Sequence, residues 1–402
     1  MDNYGNSRRK TIMMLGAGNS QLPAIRQAVA SGFFVITVDN IPGNAGHALS
    51  HRYVNCSTVD MQGVLRAAQE LAIDGIMTFA SDVATPAVGY VAEQMGLPGC
   101  PYAAALVMSD KSRFRAFQAE HGLPHPKFTV GRNVEDMRAW LVEQQAPLVF
   151  KPVDSSGSRG VSIVSSPDLA QCQPAAEYAA KYSRSGLICA EEFLEGTDVS
   201  GDGFLVNGAL SVAITNKYKS KLVPRGHRLP SALPERDQDA VKRAVAEHCR
   251  ALNYRNGPLD FDVRVRDGKA VVLEMSPRLG GNGIPLLIKR GGGVDLIGAT
   301  VRFAAGDAPD IPTDIKITRG CGSWILGSTH AGRLLSIASA DAIKQAVPEI
   351  FDYTVYRKFG DSVAAMEHSA AGLGWALFDC DSDAQYLRIV ERIQQSLDLS
   401  IG

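Results

Sequence analysis

Residues 258–281, PLDFDVRVRDGKAVVLEMSPRLGG, constrain the fold of this chain more than any other stretch. Leu259, Phe261, Val263 and Val265 alternate with Asp260, Asp262, Arg264 and Arg266, the period of a β-strand with one apolar and one charged face. Beyond Asp267 and Gly268 a second alternation follows: Val271, Leu273 and Met275 are apolar, Glu274 and Ser276 polar, so the two strands form an antiparallel hairpin. A two-residue turn would set Asp262 opposite Leu273 and mix the faces. A three-residue loop, 267–269, sets Asp262 opposite Glu274, Asp260 opposite Ser276 and Phe261 opposite Met275, and it is the loop the pattern predicts. Two carboxylates with Cβ atoms ~5 Å apart repel one another unless protonated or bridged by a cation. Hard oxygen ligands of this kind suit Mg²⁺ held together with phosphates. The competing reading is an ordinary charged strand face on which Arg264 neutralises the acids.

The rest of the chain supplies a setting for this hairpin. Short apolar runs at 11–15, 33–38 and 75–79 alternate with helical spacings (Leu22, Ile25, Val29; Val64, Leu65, Ala68, Leu71), predicting a doubly wound parallel α/β unit that ends near 96–101. From there the pattern changes to α+β. Residues 147–153 and 161–165 flank a Gly/Ser loop, and 200–206 and 209–215 flank Asn207 and Gly208, so both pairs read as antiparallel. Helices are expected over 109–121, 167–183 and 236–252. Residues 215–235 show no clear period and hold Lys217, Lys219, Lys221, Arg225 and His227, which reads as a long functional loop. Short strands beyond 310 and a last helix over 387–397 suggest a third unit. The expected division is 1–105, 106–310 and 311–402.

Composition excludes several classes of function. With 45% hydrophobic and 21% charged residues the chain is globular, and 41 basic against 42 acidic side chains create no field for nucleic acid or an anionic membrane. The seven cysteines are scattered without a CxxC pair, which supports neither a zinc site nor a disulfide framework and points to a reducing, cytoplasmic compartment. The apolar run after Arg8, Arg9 and Lys10 is too short for a signal segment or a membrane span.

Four further motifs carry chemistry. GAGNSQ at 16–21 follows a strand, and Asp39 ends the next one, imitating a dinucleotide fingerprint that lacks its third glycine. In KPVDSSGSRGV, 151–161, the lysine precedes the glycines, so this is no Walker A motif but a Gly-rich hairpin suited to covering phosphates. Lys151 itself ends an apolar strand, where an ammonium needs an anionic partner or must snorkel outward. Ser109 is the expected cap of a helix whose first turn carries Lys111, with Arg113 and Arg115 behind it: either an anion site at the helix start or a solvated basic face. The strand 187–193, continuing into EGTDVSGDG, offers backbone groups to a purine edge or is an acidic surface turn.

Taken in order, GAGNSQ, SDKSRFRAFQAEHGLPHPK, KPVDSSGSRGV, EEFLEG and LDFDVRV followed by LEMSPRLGG resemble the ATP-grasp superfamily of carboxylate–amine ligases over roughly residues 10–300. GHRLPSALP and the glycines after Arg278 look more like its amino-acid-ligase and carbamoyl-phosphate-synthase-like branch than like biotin carboxylase. The resemblance implies an ATP-grasp fold with an N-terminal α/β domain and a small C-terminal domain. It places Lys111 and Lys151 at the ATP phosphates, with Ser156, Gly157 and Ser158 in the covering loop. Glu191, Glu192, Phe193 and Leu194 fall at the adenine hinge, Asp198 at the ribose, and Asp262 and Glu274 at Mg²⁺, which Mn²⁺ can replace. Arg278 falls on the arginine that holds the acid substrate and, with Lys151, is catalytic; Ser276, Gly281 and His227 fall on the substrate side. Ser276 departs from the asparagine usual at its position.

The implied reaction is attack of a carboxylate on the γ-phosphate, giving an acyl phosphate and ADP, followed by displacement of phosphate by an amine. The implied partners are a small-molecule acid and amine, no nucleic acid, no membrane, and a second copy in a homodimer. Residues 215–230 would close over the acyl phosphate. Rival readings are a bicarbonate-using carboxylase of the phosphoribosylaminoimidazole type, an NAD(P)-dependent oxidoreductase resting on GAGNSQ and Asp39, and a nucleotide-binding regulator without turnover.

Overall fold

The computed structural model describes residues 8–145, 147–166 and 168–402. Residues 1–7 of the first expected unit and Pro167, where the second expected helix begins, lie outside the described residues. Among them, no helix is long and apolar enough to cross a membrane.

The chain opens as its pattern predicts. Thr11–Leu15, Phe34–Asp39, Arg52–Asn55 and Gly75–Thr78 pair in parallel, with the first strand central because each crossover helix returns the chain beside it. Helices Leu22–Ala30, Met61–Glu70 and Thr85–Met95 pack on this sheet.

Two antiparallel sheets of four and eight strands follow, with a small three-stranded one formed late in the chain by Gly332–Ser336, Ser362–Val363 and Ser400–Ile401. The smaller of the two has four strands in the order Phe128–Gly131, Ile188–Glu192, Leu148–Pro152, Ser162–Val164. The larger has eight, running from Lys269–Ser276 at one edge through Gly257–Arg266, Thr197–Val206, Ala209–Ser220 and Val223–Leu229 to Cys321–Leu326, Gly374–Asp379 and Ile350–Val355. Three strands from beyond residue 310 thus continue this sheet rather than forming a layer of their own. One apolar core, including Ile12, Ala24, Leu229, Leu287 and Trp375, joins the parallel sheet to the large one across helices Ile284–Gly292 and Leu296–Ala304.

Three sequence expectations change here. Residues 215–235 are largely strand: Ala209–Ser220 and Val223–Leu229 form a hairpin around Lys221 and Leu222, with a bulge between Tyr218 and Lys219. Lys217 and Lys219, which looked like loop residues, alternate along the polar face of an interior strand, which hides the usual hydrophobic period. The helix after residue 109 is capped by Asp110, whose carboxylate accepts the Ser112 and Arg113 N–H groups, not by Ser109, which ends the preceding helix. The last helix, Asp383–Ser396, starts earlier than 387, at a Ser382 cap.

A buried contact beside a second apolar core, which holds Phe114, Val241, Leu259 and Phe261, makes the fold pH-sensitive. His248 Nδ1 donates to the Ala244 carbonyl at 2.7 Å, so Nε2 is the lone-pair nitrogen that accepts the Gln118 amide at 2.9 Å. Burial, with the Arg115 charge nearby, pushes its pKa down to about 4. The unfolded chain takes up a proton near pH 6.5 that the native ring refuses until about pH 4, so stability is full above the first value and falls toward the second. Between pH 7.5 and 5 this ring should cost on the order of 2 kcal/mol. Urea midpoints of wild type and His248→Gln, measured at both pH values, check this; parallel curves would contradict it.

Candidate active site

The edge hairpin of the large sheet carries the paired acids by a route the strand pattern concealed. Arg266 faces Lys269 across a two-residue turn at Asp267 and Gly268, and Val263 faces Val272, which is the register that mixes the faces. A bulge at Leu273 then shifts the pairing by one, so that Asp262 faces Glu274, Phe261 faces Met275 and Asp260 faces Ser276. The expected three-residue loop is absent, yet the carboxylates meet. The bulge also reverses the assignment of the return strand. Ala270, Val272 and Met275 are buried against the second core, whereas Leu273 turns into the cavity beside Glu274.

That cavity lies between the two antiparallel sheets. Lys111, Lys151, residues 155–159, residues 191–194, Lys217, Lys219, Asp262, Arg264 and Glu274 line it. Asp262 accepts hydrogen bonds from the Ser200 hydroxyl and from Lys217 Nζ, the latter at 2.6 Å, and Glu274 accepts one from Lys111 Nζ at 3.1 Å. Burial works against ionisation of Asp262, but Lys217 outweighs it and holds the carboxyl well below the usual range. Lys111 Nζ also donates to the Ser155 carbonyl at 2.8 Å, tying the helix start to the Gly/Ser loop. Each acid is thus ion-paired with a lysine, and both face one space. Among the described residues no third acid, histidine or cysteine completes a metal cluster, so a divalent ion here needs phosphate oxygens or water as its remaining ligands. The donor set fits Mg²⁺ on those terms.

Lys151 has a protein partner that its sequence did not announce. Its Nζ donates to Glu191 Oε1 at 2.5 Å, while Arg115 Nε donates to Glu191 Oε2 at 2.9 Å. Burial opposes the Glu191 charge, but the two cations depress its pKa to about 2. Two buried cations share one anion, so the trio keeps a net positive charge beside the cavity, and burial lowers the Lys151 pKa accordingly. Arg115, read from its spacing as part of a basic face, is fully buried.

At the expected adenine hinge the Glu191 side chain is this brace, and the groups left open belong to the backbone. The Phe193 N–H bonds to the Pro147 carbonyl and the Leu194 carbonyl accepts from Arg264, leaving the Phe193 carbonyl and the Leu194 N–H without protein partners among the described residues. One acceptor and one donor, adjacent on the cavity wall, match a purine edge. Arg264 stacks over the Phe193 ring at 5.1 Å. Asp198 is not in the cavity wall: it accepts from Arg264 Nε at 2.9 Å and from Lys219 Nζ at 2.6 Å, and so positions two cations that are. Ser156, Gly157 and Ser158 do line the cavity, with Gly157 and Ser158 in the left-handed region (φ 69° and 63°) and the Ser158 hydroxyl on the Leu222 carbonyl.

Three residues assigned to the substrate side behave differently. Arg278 is buried and engaged: Nε donates to Asp82 at 2.9 Å, Nη2 to the same carboxylate, and Nη1 lies 2.6 Å from Asp260. It bridges the N-terminal unit to the large sheet and presents no free two-pronged face to a substrate carboxylate. Asp82 carried no signal for this, since its contact with Arg278 spans 196 positions. His227 is buried with Nδ1 3.1 Å from the Thr215 hydroxyl, and burial pushes its pKa down to about 3; it lines neither this cavity nor the one beside it. Ser276 is also buried outside both cavities, whereas Gly281 lines the neighbouring one. Lys217 and Arg264 were the functional groups missed; their place on the polar face of alternating strands was the available signal.

The dinucleotide reading fails on geometry. Both Asp39 oxygens are taken by backbone, from Ala17 N at 3.1 Å and Ile41 N at 2.9 Å. The Gln21 side chain lies 3.3 Å from where a Gly16 Cβ would stand, filling the approach over the turn, and donates to the Phe79 carbonyl at 2.6 Å.

The candidate site is thus a cleft between two antiparallel sheets, with cations, a glycine-rich loop and paired acids converging on it. Residues 144–285 match the ATP-grasp domain family. Over 361 residues the chain is 27% identical to the formate-dependent phosphoribosylglycinamide formyltransferase of Rhodococcus jostii, covering 87% of this chain and 86% of that one. It is 24% identical to the D-alanine–D-alanine ligase of Paracidovorax citrulli, covering 76% and 89%. The crystal structure of an L-amino acid ligase from Bacillus licheniformis superposes with a TM-score of 0.83 at 22% identity, covering 98% of this chain and 99% of that one. The chain thus carries an ATP-grasp domain, and the relatives it is similar to are ATP-dependent ligases.

Proposed function

We propose that the protein joins a small carboxylic acid to an amine, with ATP as the phosphoryl donor and ADP and phosphate as products. The observation that carries this is the meeting of Lys111, Lys151, the 155–159 loop, Asp262 and Glu274 around one cavity. Lys111 and Lys151 neutralise the phosphates, the loop's backbone N–H groups cover them, and the hinge at Phe193 and Leu194 takes the purine. Mg²⁺ bound at Asp262 and Glu274 supplies charge neutralisation to the β- and γ-phosphates. Phosphoryl transfer needs mainly positioning and charge, and no nucleophilic side chain is required of the protein. Arg278, with Asp82 and Asp260, holds the N-terminal unit against the reacting end of the sheet rather than gripping the acid. The division into 1–105, 106–310 and 311–402 and a cytoplasmic homodimer belong to the same proposal; the seven unpaired cysteines support the compartment.

The test is ADP release over a panel of acids and amines, with hydroxylamine replacing the amine. An acyl phosphate is trapped as a hydroxamate with ADP; release of AMP and pyrophosphate would overturn the mechanism, and ADP release with bicarbonate alone would identify a carboxylase. Lys151→Ala should raise the Kd for ATP by about tenfold or more, since Glu191 and Arg115 remain as a balanced pair while the phosphates lose a cation. Calorimetric titration with ATP checks it; an unchanged Kd would make Lys151 a brace for Glu191 alone.

A further inference from the structure

A second cavity adjoins the first. Ser369 lines it and donates its N–H to the carbonyl of Gly157, a residue of the nucleotide cavity, at 3.0 Å. Gly281 and Asn282, just past the strand that carries Glu274, form another part of its wall. Whatever fills this space therefore sits against the phosphate-covering loop.

Its walls have two characters. Phe79, Leu286, Ile325, Tyr356 and Trp375 are apolar. The Trp375 indole is held in place: Nε1 donates to Asp352 at 2.6 Å, and the ring meets Tyr356 edge-on, centroids 5.6 Å apart at 83°. Asn19, Asn282 and Arg357 add polar groups, and among the described residues their side chains make no hydrogen bond or ion pair with protein. Arg357 has a fully buried Nε without a partner, as do Arg225 and Arg228, but those two reach carbonyl or carboxylate oxygens through their other nitrogens, and Arg115, Arg264 and Arg278 each bind a carboxylate. A guanidinium in such surroundings is costly until an anion reaches it.

We propose that this cavity binds an α-amino acid with an apolar side chain as one of the two ligation substrates, and that Arg357 is the residue that selects its carboxylate. The inference rests on the ligase reading for its place in the reaction, but its chemistry comes from these walls. The carboxylate pairs with Arg357, the ammonium meets the amide oxygens of Asn19 and Asn282, and the side chain lies on the Trp375 and Tyr356 plate. A second carboxylate on the ligand has no cation to meet there. The GAGNSQ turn thereby acquires a role, presenting Asn19 to the amino acid rather than binding a dinucleotide.

The experiment is calorimetric titration of the full chain, saturated with ADP and Mg²⁺, with L-phenylalanine, L-leucine, L-glutamate and L-phenylalaninamide. Phenylalanine and leucine should bind, with glutamate and the amide at least tenfold weaker. Arg357→Gln should raise the Kd for phenylalanine at least tenfold and leave that for ADP within twofold, the second value also certifying its fold. Trp375→Ala should weaken phenylalanine and leave ADP unchanged. Glutamate or the amide binding as tightly as phenylalanine, an unchanged Kd in Arg357→Gln, or no binding of either apolar amino acid would each overturn the proposal. Binding without ADP release on any acid and amine would instead overturn the ligase reading and leave the pocket assignment standing.

Discussion

Asp262→Asn is expected to lower Mg²⁺-dependent ADP formation by on the order of 10³-fold or more while leaving the fold intact, and Glu274→Gln to do nearly the same. Each substitution removes one of only two carboxylates that face the nucleotide cavity across the bulged hairpin. Amides keep the shape but contribute no charge, and among the described residues no third acid is grouped with these two to hold a metal in their place. The Asp262 change has the further consequence of leaving the Lys217 ammonium without its 2.6 Å partner, so this variant should bind ATP without Mg²⁺ at least as well as wild type. Steady-state ADP release with Mg²⁺ titrated, together with calorimetric ATP binding without metal, separates the two effects. Near-normal turnover in both variants would remove the metal-binding role from this hairpin.

Glu191→Gln is expected to have the largest effect on stability, about 3–5 kcal/mol, because it leaves Arg115 and Lys151 buried together without their shared anion. The sequence resemblance placed Glu191 at the adenine hinge, where an amide would cost little stability; the ion pairs make the opposite prediction. Excess ATP should restore part of the loss in this variant, since phosphate oxygens in the cavity reach Lys151. Denaturant unfolding with and without ATP provides the measurement, and a shift below about 1 kcal/mol without nucleotide would return Glu191 to the hinge. Acid should act in the same direction on wild type. The Glu191 pKa is depressed to about 2, so its contribution is complete above the ordinary carboxylate range and is lost as pH falls toward that value.

Much of this was legible in residue order because period and turn chemistry are local. The three parallel runs at 11–15, 33–38 and 75–79 appear as strands, with the third ending at Thr78, and the turns at Asn207-Gly208 and Asp267-Gly268 join the strands expected of them. The nucleotide cavity gathers Lys111, Lys151, the 156–158 loop, Asp262 and Glu274 as the motif order implied. What the amino-acid order alone determined about this protein was its class: hydrophobic period, glycine placement and the spacing of a few charges are enough to name an ATP-grasp fold. Tertiary structure decided how the charges are paired. A single extra residue, Leu273, rather than a longer turn, brings Glu274 opposite Asp262, and no period reveals a bulge. The partners of Lys151 and Arg278 come from strands and loops 40 and 196 positions away, so the same arginine that looks free to grip a substrate is a bridge between two layers, and the same lysine that looks unpaired has an anion. Pairing of buried charge depends on which elements pack together, and that is settled only when the whole core has closed.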